Sequence, residues 1–238
     1  MGRAYEVRKA SIQKTGAIKA KTYSLFAKEI YLAAKDNPDI ETNVNLKKLI
    51  EKAKKNQIPN DIIDRAINKA KGSGAEDYTQ VNYEGFGPGQ STLIVKCLTD
   101  NVNRTVSLVR AAFNKVDAKI GVTNSVSYNY DYLAIVSFES NDGEVILELL
   151  IDNDIDISDF EEEEGFITIS VNPSSAKHLK EVLDKYNPNL DYVVDEIGLY
   201  AKDKITLSGE ELELFNKLYN LLDDIEDVSE IYHNVDLN

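Results

Sequence analysis

The chain has 238 residues, of which 42% are hydrophobic and 29% are charged, as expected of a globular protein with one to three domains. Its one cysteine, Cys97, excludes an intrachain disulfide and favours a reducing compartment, so we expect a cytoplasmic protein. The first twenty residues contain no apolar stretch typical of a signal peptide or a membrane helix, and we expect no membrane partner. His178 and His233 lie far apart with no cysteine nearby, which predicts no metal site.

The charge is divided unevenly along the chain. Residues 1–71 hold 16 Lys and Arg against 8 Asp and Glu, whereas the remaining residues hold 11 against 33. The first third therefore has a net charge of +8, and the rest has a net charge of −22. Because clustered cations release counterions from a phosphate backbone, a basic segment in an acidic protein indicates contact with a polyanion.

Apolar residues recur at helical spacing three times in the first third of the chain. The three stripes are Tyr23, Phe26, Ala27, Ile30 and Ala34; Leu46, Leu49, Ile50 and Ala53; and Ile62, Ile63, Ala66, Ile67 and Ala70. The third helix is predicted to open at Pro59, and Gly72 is predicted to take a left-handed conformation after its end. We expect a basic, all-helical domain over residues 1–76.

The chain beyond residue 76 alternates between strand and helix patterns. Residues 81–98 predict a hairpin, Asp100 or Asn101 opens a helix, and Ser125–Tyr130 predicts a strand. Residues 132–202 then give the order βαββαβ, which is the ferredoxin-like pattern. A last strand, helix and strand follow. The predicted fold is therefore α+β with three domains: the helical domain, a discontinuous α+β domain over residues 77–131 plus 203–238, and an acidic ferredoxin-like domain inserted at 132–202. The discontinuous domain is expected to be ferredoxin-like as well.

The densest glycine cluster is Tyr83–Gly89. It lacks the Lys-Ser/Thr pair of a phosphate-binding P-loop, and a strand rather than a helix follows it. We interpret it as a hairpin turn whose glycines take positive φ angles. Since the loop has little side-chain bulk, it can also approach the backbone of a partner closely.

A second polar cluster, Thr99–Thr105, lies at a strand-to-helix turn. Its Asp and Asn side chains are ordinary helix caps. Arg104 is unusual there, because a cation in the first turn opposes the helix dipole. We expect Arg104 to pair with Asp100 or Glu84, or to reach a phosphate.

The chain shows no pattern of catalytic residues. Its carboxylates lie mostly on acidic helix faces or in Glu161–Glu164, and no nucleophile motif accompanies the histidines. We therefore predict that the protein is not an enzyme and that it holds no cofactor and no metal.

Three motifs occur in order along the chain: Ile58–Ile67, Tyr83–Gly89 and Leu98–Thr105. Together they resemble the YebC/PmpR family of probable transcriptional regulators, which also includes the mitochondrial translational activator of cytochrome oxidase subunit one. The resemblance covers essentially the whole chain. It implies an N-terminal helical domain and two α+β domains, without catalysis and without a cofactor. It also implies either DNA binding in transcription or association with the ribosome.

Our first hypothesis is a regulatory protein that binds DNA through phosphate contacts of its basic N-terminal domain. The first alternative is a ribosome-associated translation factor that binds ribosomal RNA. The second is an acidic interaction module that docks basic ribosomal proteins. The candidate nucleic-acid contacts are Lys9, Lys14, Lys19, Lys21, Lys28, Lys48, Lys55, Arg65, Lys69 and Arg104. The candidate motif-loop residues are Tyr83, Glu84, Gly85, Gly87, Pro88, Gly89, Asp100, Asn101, Asn103 and Thr105.

Overall fold

The structure of the protein, a computed structural model, describes residues 19–72 and 78–236. It has the predicted α+β class, with helices first and then sheets flanked by helices. The described residues form two compact units: the smaller is Tyr130–Lys202, and the larger contains the rest of the described residues. The division into three domains with the boundaries given above stays a prediction.

The regular elements alternate after the third helix. In chain order they are α1 (Lys19–Lys35), α2 (Val44–Lys55), α3 (Asn60–Lys71), β1 (Thr79–Phe86), β2 (Thr92–Thr99), α4 (Val102–Asn114), β3 (Lys119–Ile120), β4 (Tyr130–Glu139), α5 (Gly143–Asp152), β5 (Ile157–Glu163), β6 (Phe166–Val171), α6 (Ala176–Tyr186), β7 (Tyr192–Ala201), β8 (Ile205–Thr206), α7 (Gly209–Asp223), β9 (Val228–His233) and β10 (Val235–Asp236).

The three predicted N-terminal helices are confirmed as α1, α2 and α3. Their apolar stripes meet in one core, which includes Phe26, Ile30, Leu46, Ile50, Ile63 and Ile67. Helices of this length are marginal in isolation, so burial of these side chains stabilises them.

The ends of α2 and α3 show how the local sequence sets a boundary. Asn43 caps α2, because its side chain accepts the N–H of Leu46. Gly72 follows α3, but its φ of −82° and ψ of 162° are those of an extended residue. The prediction of a left-handed Gly72 is therefore wrong. The helix ends instead in a tight turn, in which the Gly72 N–H donates to the Lys69 carbonyl.

The larger unit contains a four-stranded antiparallel sheet in the order β3-β1-β2-β9. Helices α4 and α7 pack on one face of it, and β8 and β10 form a separate parallel pair. The core between sheet and helices includes Leu93, Val95, Cys97, Val109, Phe113, Phe215 and Leu218. The spatial order of these strands is that of a ferredoxin-like sheet. Their order along the chain differs, because β1 precedes the other three strands.

The predicted strand Ser125–Tyr130 is wrong. Ser125 and Val126 lie outside any strand, and Ser127–Asn129 form a short 3-10 turn. Glu84 is the physical reason, because its carboxylate accepts three backbone N–H groups between Asn124 and Ser127. Those donors are then no longer available to a neighbouring strand.

The glycine-rich loop Tyr83–Gly89 is a hairpin turn, but its glycines have different roles. Gly89 has a positive φ of 61°, as predicted. Gly85 lies within β1, and a Cβ there would collide with the ring of buried Phe113. Gly87 has a φ of −97°. Positive φ is therefore the wrong explanation for Gly85 and Gly87, and Gly85 is required for close packing.

The smaller unit has the ferredoxin-like pattern predicted for residues 132–202. Its strands pair in the order β5-β6-β4-β7, all antiparallel. Its core includes Val136, Phe138, Ile146, Leu150, Ile167, Ile169, Leu179 and Leu183. The first strand begins at Tyr130 rather than at the predicted domain boundary of residue 132, and the acidic strand β5 covers Ile157–Glu163.

Candidate nucleic-acid interface

Helix α2 presents a cluster of exposed cations. Lys47, Lys48, Lys54 and Lys55 are exposed, and none of their side chains has an ion-pair or hydrogen-bond partner among residues 19–72 and 78–236. Glu51 is the one carboxylate of this helix. Lysines in the last turn also complement the negative end of the helix dipole. These four lysines, called here the α2 lysine surface, carry positive charge that the described part of the protein leaves unpaired.

The cations of α3 are exposed but partly engaged. Arg65 forms an ion pair with Asp61 one turn earlier, and 74% of its side chain stays exposed. Lys69 Nζ lies 5.9 Å from the centroid of the Tyr31 ring, at cation–π distance. Exposed ion pairs contribute about 1 kcal/mol or less, so Arg65 and Lys69 remain able to turn towards a phosphate.

Lys21 and Lys28 of α1 face carboxylates rather than solvent. Lys21 Nζ lies 2.8 Å from Asp223 Oδ1, and Lys28 Nζ lies 3.1 Å from Asp227 Oδ1. The two lysine side chains are only 14% and 11% exposed. In this arrangement carboxylates neutralise both charges, and the contact of Lys21 and Lys28 with phosphates stays a prediction. The remaining predicted positions lie outside the described residues: Lys9, Lys14 and the side chain of Lys19.

Arg104 belongs to a polar cluster around Asp227. It donates to Asp100 Oδ1 at 2.7 Å and to Asp227 Oδ2 at 2.8 Å. The hydroxyls of Thr99 and Thr105 donate to the same oxygen of Asp227, at 3.1 and 2.9 Å. Burial alone would raise the pKa of Asp227, but the hydrogen bonds from Arg104, Thr105 and Lys28 outweigh it and lower the pKa. Pairing of Arg104 with Asp100 is thus confirmed.

Glu84 is not the partner of Arg104, so that alternative is wrong. Its carboxylate is buried and accepts the N–H groups of Asn124, Val126 and Ser127 at 2.8, 2.7 and 2.9 Å. Burial alone would raise the pKa of Glu84, but the backbone hydrogen bonds outweigh it and lower the pKa. Glu84 therefore holds the loop around Asn124–Ser127 against β1 by hydrogen bonds.

Most other motif residues organise the sheet and α4. Asn101 caps α4 by accepting the Arg104 N–H at 3.0 Å. The Tyr83 hydroxyl lies 3.5 Å from the Val102 carbonyl, and burial raises the pKa of Tyr83. Asn103 is exposed, and its side chain has no partner in the described part of the chain. Gly87, Pro88 and Gly89 shape the hairpin turn, whereas Gly85 lies within β1 and packs against Phe113.

The acidic partners of α1 have no signal in the sequence. Lys28 and Asp227 are 199 positions apart, and no local spacing relates residues so distant. The sequence offers an overall acidic balance for this region, but it does not say which charges meet. Tertiary structure was needed to find Asp223 and Asp227.

Three further observations concern other kinds of site. No helix within residues 19–72 and 78–236 is long and apolar enough to cross a membrane. In the same ranges, no group of three or more His, Cys, Asp or Glu side chains is placed to hold a metal ion. Cys97 is buried, and burial raises the pKa of its thiol to about 12, so the thiol stays protonated at neutral pH.

Comparison with known proteins places this fold in a family. Residues 3–73 match the TACO1/YebC protein N-terminal domain, and residues 78–235 match the TACO1/YebC second and third domain. A probable transcriptional regulatory protein of Vibrio campbellii is 48% identical over 238 residues, which is the full length of both chains. One from Alteromonas mediterranea is 42% identical over 98% of each chain. The crystal structure of a conserved hypothetical protein from Aquifex aeolicus matches with a TM-score of 0.74 and 29% identity, covering 93% of this chain and 92% of that one. The chain belongs to the TACO1/YebC family.

Proposed function

We propose that this protein is a regulatory protein that binds DNA through the α2 lysine surface. The proposal depends on one observation: four lysines of a single helix are exposed and unpaired in the described chain, although the net charge of the protein is −14. A local excess of positive charge is the electrostatic footprint of a phosphate-binding surface. The name shared by the relatives, probable transcriptional regulatory protein, supports DNA as the target.

The α2 lysine surface is suited to phosphates rather than to base edges. Lysine is a flexible point charge, whereas base edges are read mostly by Arg, Asn and Gln. We therefore expect binding that depends strongly on salt and weakly on base sequence. Four phosphate contacts correspond to a slope of about −3.6 for the logarithm of the affinity against the logarithm of the salt concentration.

Charge reversal on α2 tests this function. We expect Lys48→Glu/Lys55→Glu to weaken binding to a short DNA duplex and to make the salt slope shallower by about two, because each lost phosphate contact removes about one. Fluorescence anisotropy of a labelled duplex over a series of salt concentrations measures both quantities.

The matched control is Lys177→Glu/Lys217→Glu. It makes the same change of charge at exposed helix positions outside the N-terminal helices. If the α2 variant binds DNA as tightly as this control and with the same salt slope, the α2 lysine surface is not the binding site and the proposal fails.

Ribosomal RNA is a second candidate ligand, and the same observation favours it. Phosphate contacts carry no sequence information, so the α2 lysine surface also fits the shape of a folded RNA. Ultraviolet crosslinking in cells separates the two ligands. Reads concentrated in promoter DNA would support the DNA proposal, whereas reads concentrated in ribosomal RNA would make the protein a ribosome-associated translation factor.

An acidic interaction module is the third hypothesis. It predicts capture of basic ribosomal proteins that survives nuclease treatment, together with an unchanged nucleic-acid affinity in the α2 variant.

We propose no catalytic activity for this chain, since its relatives carry the name of a regulator.

A further inference from the structure

Three acidic residues, at the end of α7 and in the turn before β9, contact one stripe of α1. Asp223 pairs with Lys21 at 2.8 Å, and Asp227 pairs with Lys28 at 3.1 Å. Between these two ion pairs, Ser24 donates to Glu226 at 3.1 Å. We call Asp223, Glu226 and Asp227 the acidic latch.

The contact is polar along the described stripe of α1. Its three members, Lys21, Ser24 and Lys28, recur at spacings of three and four, so they share one side of the helix. Each places an amine or a hydroxyl against a carboxylate. Polar interfaces of this kind resemble transient protein contacts, which open more readily than apolar ones.

The surroundings of Asp227 stabilise its charge both with and without Lys28. Its side chain is 5% exposed and accepts hydrogen bonds from Thr99, Arg104 and Thr105 in addition to Lys28. An unpaired buried charge is expensive. If Lys28 leaves, however, Asp227 keeps three hydrogen-bond donors from the sheet and α4. Opening the latch therefore does not leave a buried charge without a partner.

The carboxylates of the acidic latch bind the lysines of α1 in the same way as the phosphates of a nucleic acid would. Ionised carboxylate and phosphate oxygens both form short, charge-assisted hydrogen bonds with ammonium groups. Lys21 and Lys28 are cations on the same helical bundle as the α2 lysine surface, and carboxylates occupy both of them.

We propose that the acidic latch is autoinhibitory: its carboxylates occupy Lys21 and Lys28 in the free protein, and nucleic-acid phosphates displace them. This inference rests on the proposed function, since it names the regulation of nucleic-acid binding by the same helical bundle. Release adds two lysines to the phosphate-binding set. The free protein therefore binds more weakly than its full set of cations allows.

Neutralising one latch residue tests the competition. Asp223→Asn removes the carboxylate opposite Lys21, and Asp224→Asn removes the same charge from the neighbouring exposed residue, which has no side-chain partner in the described chain. We expect Asp223→Asn to bind the DNA duplex up to about fivefold more tightly than Asp224→Asn, because one ion pair no longer has to be broken. Equal affinities in the two variants would overturn the proposal.

Locking the latch gives the opposite perturbation. Ser24→Cys/Glu226→Cys, joined by a short cleavable bismaleimide, holds α1 against the acidic latch. Buried Cys97 should not compete for the reagent, since burial raises the pKa of its thiol to about 12. We expect the joined protein to bind DNA several-fold more weakly than the same protein after cleavage of the linker. Unchanged affinity after cleavage would overturn the proposal.

A measurement without nucleic acid separates this inference from the proposed function. Spin labels at Asn56→Cys and Glu210→Cys report the distance between the helical bundle and α7. We expect raised salt, and Asp223→Asn at low salt, to broaden that distance distribution, whereas Asp224→Asn should leave it narrow. A narrow distribution under all these conditions would overturn the latch even if DNA binds. Conversely, broadening in a protein that does not bind DNA would refute the proposed function and leave an opening contact.

Discussion

Glu84 shows how a single carboxylate can determine the path of a loop. The sequence of Ser125–Tyr130 has a strand pattern. The backbone N–H groups of Asn124, Val126 and Ser127, however, donate to the Glu84 carboxylate. Hydrogen bonds to a charged acceptor are stronger than neutral ones, so they compete successfully with strand pairing. The motif residue therefore has a structural role that its position in a glycine-rich loop does not reveal.

We predict that Glu84→Gln lowers the free energy of unfolding by about 2 kcal/mol at pH 7, because buried N–H groups lose a charged acceptor. Urea unfolding measures the change, and hydrogen exchange of the Asn124, Val126 and Ser127 amides should accelerate. The exposed Glu210→Gln is the control. Protection of those three amides equal to that of the wild type would contradict this account of Glu84.

The ionisation of Glu84 adds a dependence on pH to the same prediction. Its pKa is lower in the folded protein than the ordinary value of 4.5. The stabilisation is therefore complete above the ordinary pKa and is lost as the pH falls through the folded pKa. Stability of the wild type should decline in that acidic range more steeply than stability of Glu84→Gln.

Helix α4 illustrates a motif in which neighbouring residues have different roles. Asn101 accepts the N–H of Arg104 and closes the first turn, whereas Asn103 is exposed. We predict that Asn101→Ala lowers the free energy of unfolding by about 1 kcal/mol, the usual cost of losing an N-cap. Asn103→Ala is the matched control and should change stability by less than about 0.5 kcal/mol. If urea unfolding gives equal changes for Asn101→Ala and Asn103→Ala, the N-cap adds nothing to the free energy of unfolding.

Helices were more predictable from the sequence than the strand order of the larger sheet. The stripes of α1, α2 and α3 follow a period of 3.6 residues, which depends on local sequence alone. The position of β1 between β2 and β3 depends on pairing at long range, and Ser125–Tyr130 carries a strand pattern that Glu84 overrides. The βαββαβ order of the smaller unit was predictable because its elements follow the chain without permutation.

At the scale of the whole molecule, the charge count located the basic region but not its free surface. Residues 1–71 supply most of the positive charge, yet Lys21 and Lys28 are neutralised by carboxylates from the far end of the chain. Lys48 and Lys55 stay exposed. A sum of charges cannot make this distinction, because it contains no information on which residues are in contact.

Overall stability should also depend on the partly buried residue His233. Its ring lies edge-to-face against Phe215 and Tyr219, with centroids 5.1 and 5.8 Å away, and its Nδ1 accepts the Val235 N–H. Burial lowers the pKa of His233 to about 4. The unfolded chain binds the proton more readily, so stability is fully present above pH 6.5 and declines as the pH falls towards 4.

The difference of about 2.5 between the two pKa values corresponds to a loss of about 3 kcal/mol across that range. We predict that His233→Phe, which keeps an aromatic ring but cannot titrate, flattens the curve of unfolding free energy between pH 6.5 and 4. Urea unfolding at several pH values measures the curve. His178→Phe is the control, since it removes the exposed histidine of the smaller unit and should leave the slope intact. An equally steep slope in His233→Phe between pH 6.5 and 4 would contradict this role of His233, because carboxylates with a lowered pKa, such as Asp227, lose their stabilisation only at a more acidic pH.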